Sequence, residues 1–432
     1  MDMGVSSIDL QTAAERALAQ MRRQGFEHAQ VSASASTLTE LNVNHNEPSL
    51  MRSTEQHKLA LLGIVDGRKA STELGELADD AMRGRIESLF IEAKAAPRDE
   101  ANAVSTDQRA DIVQGPQAAD EALLTDKVRE LLTFRATETP KMMIDEAFAA
   151  HTHVRAYALT SSGSQLACSL GWYAMSVFGT AREGQRSSSF NYTDGSTHDL
   201  GAAPASELFG IGPMMRDTER QIDTEQIAAK FVGDVVLSPQ AVADLMQWLH
   251  GQIGDVQLIA GSSLYHDQVG ERIASPSLTL RSRFDAPGVA AISADAFATP
   301  PVHILREGRL ATLTPSLYGS RKTGLAHVPV AAGGWELAAG ASPLDQVIAG
   351  VSRGALVGSL SMGNPAANGD FSGVIKNSFL IESGDIGPAL SEVMIAGNVA
   401  QMLRDVTAVS RERLDRGLWL LPWLRVAGLS FS

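Results

Sequence analysis

Ten histidines, one cysteine and 50 acidic residues bound the chemistry open to this 432-residue chain. A helical zinc site needs two histidines about four residues apart, so that both imidazoles leave one face. The histidines, at 28, 45, 57, 151, 153, 198, 250, 266, 303 and 327, contain no such pair. His151 and His153 would share one face of a strand. They stand where a strand is expected to begin after a helix, and polar surface residues suit that place. His266-Asp267 with Glu271 offers acid–base groups, although Gly270 marks a turn and Glu271-Arg272 reads as a solvated pair. His266 and Glu271 are therefore the catalytic candidates of a metal-independent reading. Serine offers no Gly-x-Ser-x-Gly elbow, and Ser161-Ser162-Gly163-Ser164 and Ser187-Ser188-Ser189 read as turn and strand-edge residues. Cys168 lies in an alternating apolar strand, which suits a buried structural thiol. Ser361-Met362-Gly363-Asn364-Pro365 lacks the Gly-Lys-Ser/Thr ending of a phosphate loop. Pro213-Met214-Met215-Arg216 reads as core or cover. The helix predicted over 241–250 carries Asp244, Gln247 and His250. Asp244 and His250 are nearly two turns apart and on different faces, so this helix alone cannot build a metal site. Leu245, Met246 and Leu249 are its buried face.

The elements that hold these groups follow from periodicity. Leu10, Ala14, Leu18 and Met21 line one side of a helix over 8–23. Residues 31–36 and 41–44 alternate as strands, and 58–65 is a more apolar strand. Asp66-Gly67 is a hairpin turn, after which Thr72 would cap a helix running to about Lys94. A domain boundary falls near Ala96-Pro97-Arg98-Asp99, and residues 100–120 read as a linker or long loop. Residues 121–150 are expected to be mostly helical, with a break near Thr139-Pro140. Strands are predicted over 154–159, 164–168, 172–180 and 187–192, then a helix over 224–230 leading into a strand at Val232. Glycines at 333, 334, 350, 354, 358, 363 and 369 punctuate short strands beyond, where antiparallel sheet is favoured. The expected fold class is α+β, an N-terminal helix–antiparallel-sheet domain (1–99) plus a β-rich C-terminal domain (231–432). Helices and antiparallel strands over 121–230 continue the N-terminal half.

A net charge of −14 argues against a nucleic-acid surface, because a negative field repels phosphate. No run approaches the roughly 18 to 20 apolar residues of a membrane span; Leu418 to Leu424 is short and broken by Pro422. The first residues show no basic-then-apolar leader pattern, and a single cysteine excludes an intrachain disulfide. The expected location is the cytoplasm.

Several blocks in order resemble the TldD/PmbA family of metallopeptidase-related proteins, also known as modulators of DNA gyrase. They are 61–75, Phe231 to Pro239, Gly261-Ser262-Ser263 with Val269-Gly270-Glu271, and Phe284-Asp285-Ala286-Pro287-Gly288. Tyr318-Gly319-Ser320-Arg321-Lys322, Asn364-Pro365 with Gly369-Asp370-Phe371-Ser372, and Ile395-Ala396-Gly397-Asn398 complete the series. In the family's catalytic branch a helix carries His-Glu-x-x-x-His and a distant Cys completes the metal site. Here no helix has that pattern and no Cys follows Cys168, so the chain resembles the non-catalytic PmbA (TldE) branch. The resemblance implies no metal and no cofactor, and a TldD-like metallopeptidase subunit or a second copy of itself as partner. It implies unfolded peptide as ligand, with Ser262, Ser263 and Tyr265 as candidates for the peptide groove. The alternatives are a self-sufficient hydrolase and a homodimeric peptide-binding protein.

Overall fold

The structure is a computed structural model and describes residues 7–391 and 393–432. Its N-terminal half is built on strands long enough to serve two separate cores. Helix α1 (Ser7–Gln24) leads into β1 (His28–Asn44), β2 (Glu47–Val65) and β3 (Arg68–Leu74), followed by α2 (Asp79–Ala95). Then come β4 (Arg109–Gln114), α3 (Glu121–Glu138), β5 (Met142–Thr160), β6 (Gln165–Glu183), β7 (Arg186–Ser187), β8 (Asn191–Thr197) and α4 (Ile211–Arg220). The sheet order is β3-β2-β1-β5-β6-β4, with β7 and β8 also on β6; all pairs are antiparallel except β4 with β6. Because side chains alternate across a strand, Val31, Ala33, Ala35, Leu41 and Val43 of β1 share a face. The first three pack under Leu10, Ala14, Leu18 and Met21 of α1 and Met82, Ile86 and Leu89 of α2. The last two pack under Leu124, Val128 and Leu131 of α3 and Met215 of α4.

The C-terminal half is one mixed sheet reached through β9 (Thr224–Glu225) and β10 (Phe231–Leu237). Its organising strand is Trp419–Phe431, which pairs antiparallel with β10, Val406–Asp415 and Met394–Asn398 and parallel with Trp335–Leu337. Helix α5 (Pro239–Ile253) lies against this sheet. Ser238 caps it, accepting from the Ala241 N–H, and Pro239 occupies the first helical position, where the missing N–H costs nothing. Val242, Leu245, Met246, Leu249 and Ile253 are fully buried against Leu421, Leu424 and Val426. At about 1.5–3 kcal/mol per buried aliphatic side chain, this face fixes the helix to the sheet.

Several local expectations change. Thr72 caps no helix: residues 68–74 form β3, and its hydroxyl accepts from Arg85 Nε at 2.6 Å. Residues 142–150 are the first half of β5, held between β1 and β6, rather than helix. Residues 224–230 form the short β9 and a loop, while α4 was not foreseen. The segment 100–120 contributes β4, a parallel edge strand, instead of serving wholly as linker. Parallel pairs also enter the C-terminal sheet, including β10 with Arg353–Val357. The hairpin at Asp66-Gly67 has the expected left-handed backbone, φ 50° and 69°. No helix among the described residues is long and apolar enough to cross a membrane.

Candidate functional site

Helix α5 turns one face to the sheet and the opposite face to a trench between the two halves of the molecule. The outward stripe is Gln240, Ala243, Asp244, Gln247 and Gly251, the three- and four-residue spacing that keeps side chains on one face. Three cavities meet along it. The first, about 620 Å³, lies between Gln240 and a wall from β8, the turn at Leu208–Gly210 and the start of α4, including Tyr192, Phe209 and Met214. The second, about 350 Å³, holds Ala243, Asp244 and Gln247 against Phe148, Met175, Asp194 and Ser196, with Leu418 and Trp419 closing it. The third, about 640 Å³, shares Asp244 and Gln247 and continues past Gly251 under the loop Met362–Ala367. Each is within the size range of ligand pockets. From Pro239 to Gly251 the floor runs about 18 Å at the helical rise of 1.5 Å per residue.

The polar groups of the trench are few and mostly committed. Arg416 bonds across it to the Asp194 side chain, and its Nε donates to the Asp194 carbonyl at 2.8 Å. Gln240 Nε2 donates to the Tyr192 hydroxyl at 3.2 Å, leaving its buried Oε1 without a partner. Asp244 is different. It is half-buried, no hydrogen bond or ion pair reaches its carboxylate among the described residues, and burial pushes its acid up to about 6 despite the Arg416 charge nearby.

The residues on α5 do not fit a metal. His250 lines none of the three cavities; its ring packs 4.4 Å from Trp335 and 6.0 Å from Trp419, centroid to centroid. Its Nε2 is buried without a partner, and burial pulls its pKa down to about 4. Among the described residues no three His, Cys, Asp or Glu side chains converge on a point that could hold an ion.

The groove and catalytic candidates from sequence, Ser262, Ser263, Tyr265, His266 and Glu271, lie on the loop beyond α5, and none lines the trench, whereas Ser361 to Pro365 walls the third cavity. Tyr265 is buried, edge-on to Trp248 at 6.2 Å, with its hydroxyl unpartnered. It therefore cannot form a groove surface and touches the third cavity only through Trp248. Ser262 bonds to Gln257, and Ser263 Oγ accepts from the Tyr265 N–H at 3.1 Å, so both serve a turn. His266 Nδ1 lies 2.7 Å from Asp267 Oδ1 in an exposed local pair, and Glu271 is exposed in the next turn. His151 and His153 sit in mid-strand rather than at its start. His151 Nε2 lies 2.8 Å from the Pro116 carbonyl and His153 Nε2 3.1 Å from Gln117 Oε1, which pins segment 115–117 to the sheet, and His153 Nε2 also lies 2.9 Å from Ser169 Oγ of β6. Burial raises the Cys168 thiol, as suits a structural residue. Met214 and Met215 are core. What sequence reasoning missed is the stripe on α5 and the role of Arg416. The stripe was readable as small and polar residues opposite the apolar face; Arg416 was not, because its partner is 222 positions away.

Residues 231–432 match the profile of the PmbA/TldA metallopeptidase C-terminal domain. Over 213 residues the chain is 27% identical to metalloprotease PmbA of Escherichia coli O157:H7, a match covering 45% of this chain and 45% of that protein's length. Three crystal structures share the fold. A candidate modulator of DNA gyrase from Bacteroides thetaiotaomicron superposes with a TM-score of 0.85 at 21% identity, covering 99% of both chains. TldE from Thermococcus kodakarensis gives 0.81 at 18% identity, covering 97% of this chain and 100% of that one. A candidate modulator of DNA gyrase from Thermotoga maritima gives 0.76 at 15% identity, over 98% and 99%.

Proposed function

Starting from a chain that is a member of the TldD/PmbA family, we propose that it is a PmbA/TldE-type subunit without a catalytic metal of its own. In this reading it receives unfolded peptide along the α5 trench and presents it to a TldD-like metallopeptidase partner. The observation that carries the proposal is the outward stripe of α5. Where a metallopeptidase helix would present ligands, this one presents Gln240, Ala243, Asp244, Gln247 and Gly251 over a trench formed by three joined cavities. At about 3.4 Å per residue, an 18 Å floor accommodates roughly five residues of extended peptide. Apolar walls from Phe148, Phe209, Leu418 and Trp419, with amides at Gln240 and Gln247, suit a sequence-tolerant backbone ligand. The exposed His266–Asp267 pair, far in character from an enclosed catalytic group, does not favour a self-sufficient hydrolase.

The test is co-expression with a TldD-like protein, followed by size exclusion, metal analysis of each subunit and cleavage of an unfolded peptide. Co-elution is expected, with cleavage that needs both chains and is lost on chelation. Peptide cleavage by this chain alone that survives chelation would sink the proposal.

A further inference from the structure

Resting on that reading of the trench, we infer that Asp244 receives a positively charged group of the bound peptide, an ammonium or guanidinium, where the second and third cavities meet. Asp244 is a wall residue of both cavities. A partly desolvated carboxylate normally acquires a cation or hydrogen-bond donors from its own fold, since an unpaired buried charge is costly. This one has neither among the described residues. The charged groups that face it are Asp194 from β8 and Arg416 from the hairpin between Val406–Asp415 and Trp419–Phe431. Arg416 is engaged with Asp194 through both side chain and carbonyl, so it acts on Asp244 only across space.

Two carboxylates thus share one guanidinium in the second cavity, and the third adds amides and small residues but no cation. A basic side chain entering the trench would complete the pair with a charge-assisted hydrogen bond, while an acidic one would meet two carboxylates. The 640 Å³ of the third cavity leaves room for the methylene stem of a long basic side chain.

The test uses the full chain and fluorescence anisotropy. The probe is a fluorescein-labelled, N-acetylated and C-amidated decapeptide of glycine and serine with one central lysine, compared with the same peptide carrying norleucine. The lysine peptide should bind about tenfold more tightly, as expected when one charge-assisted bond is gained. Asp244→Asn should abolish that preference, and Asp244→Glu should keep it. Circular dichroism of each variant confirms the fold. A norleucine peptide with a free amino terminus separates the sources: tighter binding there assigns the site to a terminal ammonium. Equal binding of lysine and norleucine peptides, or a preference that survives Asp244→Asn, overturns the assignment and leaves the peptide path standing. Failure of every peptide to bind overturns both.

Discussion

Replacing Asp244 with asparagine should make the protein more stable at neutral pH and no more stable in acid. Burial holds the folded-state acid at about 6 against an ordinary 3.8. Between those values the unfolded chain has lost its proton while the folded chain keeps it, so stability falls as pH rises from about 4 to about 6 and stays low above. At about 1.4 kcal/mol per pH unit the gap amounts to about 3 kcal/mol. The trench is open and solvent screens the charge, which leaves about 1 to 2 kcal/mol. For a cooperative unit the size of the C-terminal half, this corresponds to a rise in melting temperature of about 2 to 8 °C. The assay is thermal unfolding of wild type and Asp244→Asn at pH 4 and pH 7.5. The variant should match wild type at pH 4 and exceed it at pH 7.5. A variant destabilised equally at both pH values would refute the reasoning, because it would mean Asp244 makes a stabilising contact that its geometry lacks.

Other perturbations have equally definite outcomes. Leu249→Ala, at a fully buried site in the α5 core, should cost about 2–5 kcal/mol, read as a lowered urea midpoint. His250→Phe should flatten the acid decline in stability: the buried imidazole, held at about 4, loses stability as pH falls below its unfolded value near 6.5, and a phenyl ring does not. Gly171→Ala should cost about 1–3 kcal/mol in a urea melt, since its Cβ would stand 1.7 Å from the Pro116 carbonyl oxygen. Tyr318→Phe should raise the Asp99 acid, now held at about 2 by the Ala101 N–H, the Tyr318 hydroxyl and Lys322. The stability that Asp99 contributes is present above 3.8 and lost as pH falls through 2, so the variant should lose it at a higher pH in an acid titration followed by fluorescence.

What the sequence showed and hid divides along the range of the interactions. The buried face of α5, Leu245, Met246 and Leu249, was legible because a 3.6-residue period is local information. So was the Asp66-Gly67 turn, whose backbone demand rests on two residues. Residues 142–150 were misread because Met, Ala and Glu favour helix in isolation. In the fold, β1 and β6 claim both edges of this segment, and pairing overrides propensity. Thr72 was misread as a cap for the same reason, with β2 as the partner. The trench was beyond reach: its walls come from β8, the 359–367 region and the hairpin around Arg416, and no local pattern says that they meet. From sequence Asp244 reads only as a poor metal ligand; its lack of a partner follows from Arg416 being bound to Asp194, 222 positions away.

The strand Trp419–Phe431 has a consequence for how the molecule is made. Among the described residues β10 finds its antiparallel partner only there, with Phe231 opposite Phe431 and their rings stacked at 4.5 Å. At ribosomal speeds of roughly 5–20 residues per second, the about 200 residues between them take about 10–40 s to emerge. For that interval Val235, Val236 and Leu237, all destined for full burial, are on a nascent chain whose sheet lacks its central member. The N-terminal half waits for less time: β1 meets β2 within a few residues, and its other neighbour β5 follows after about 100 residues, roughly 5–20 s at the same speed. A folding helper that shelters apolar strands during synthesis therefore matters more for the C-terminal half of this chain than for the other.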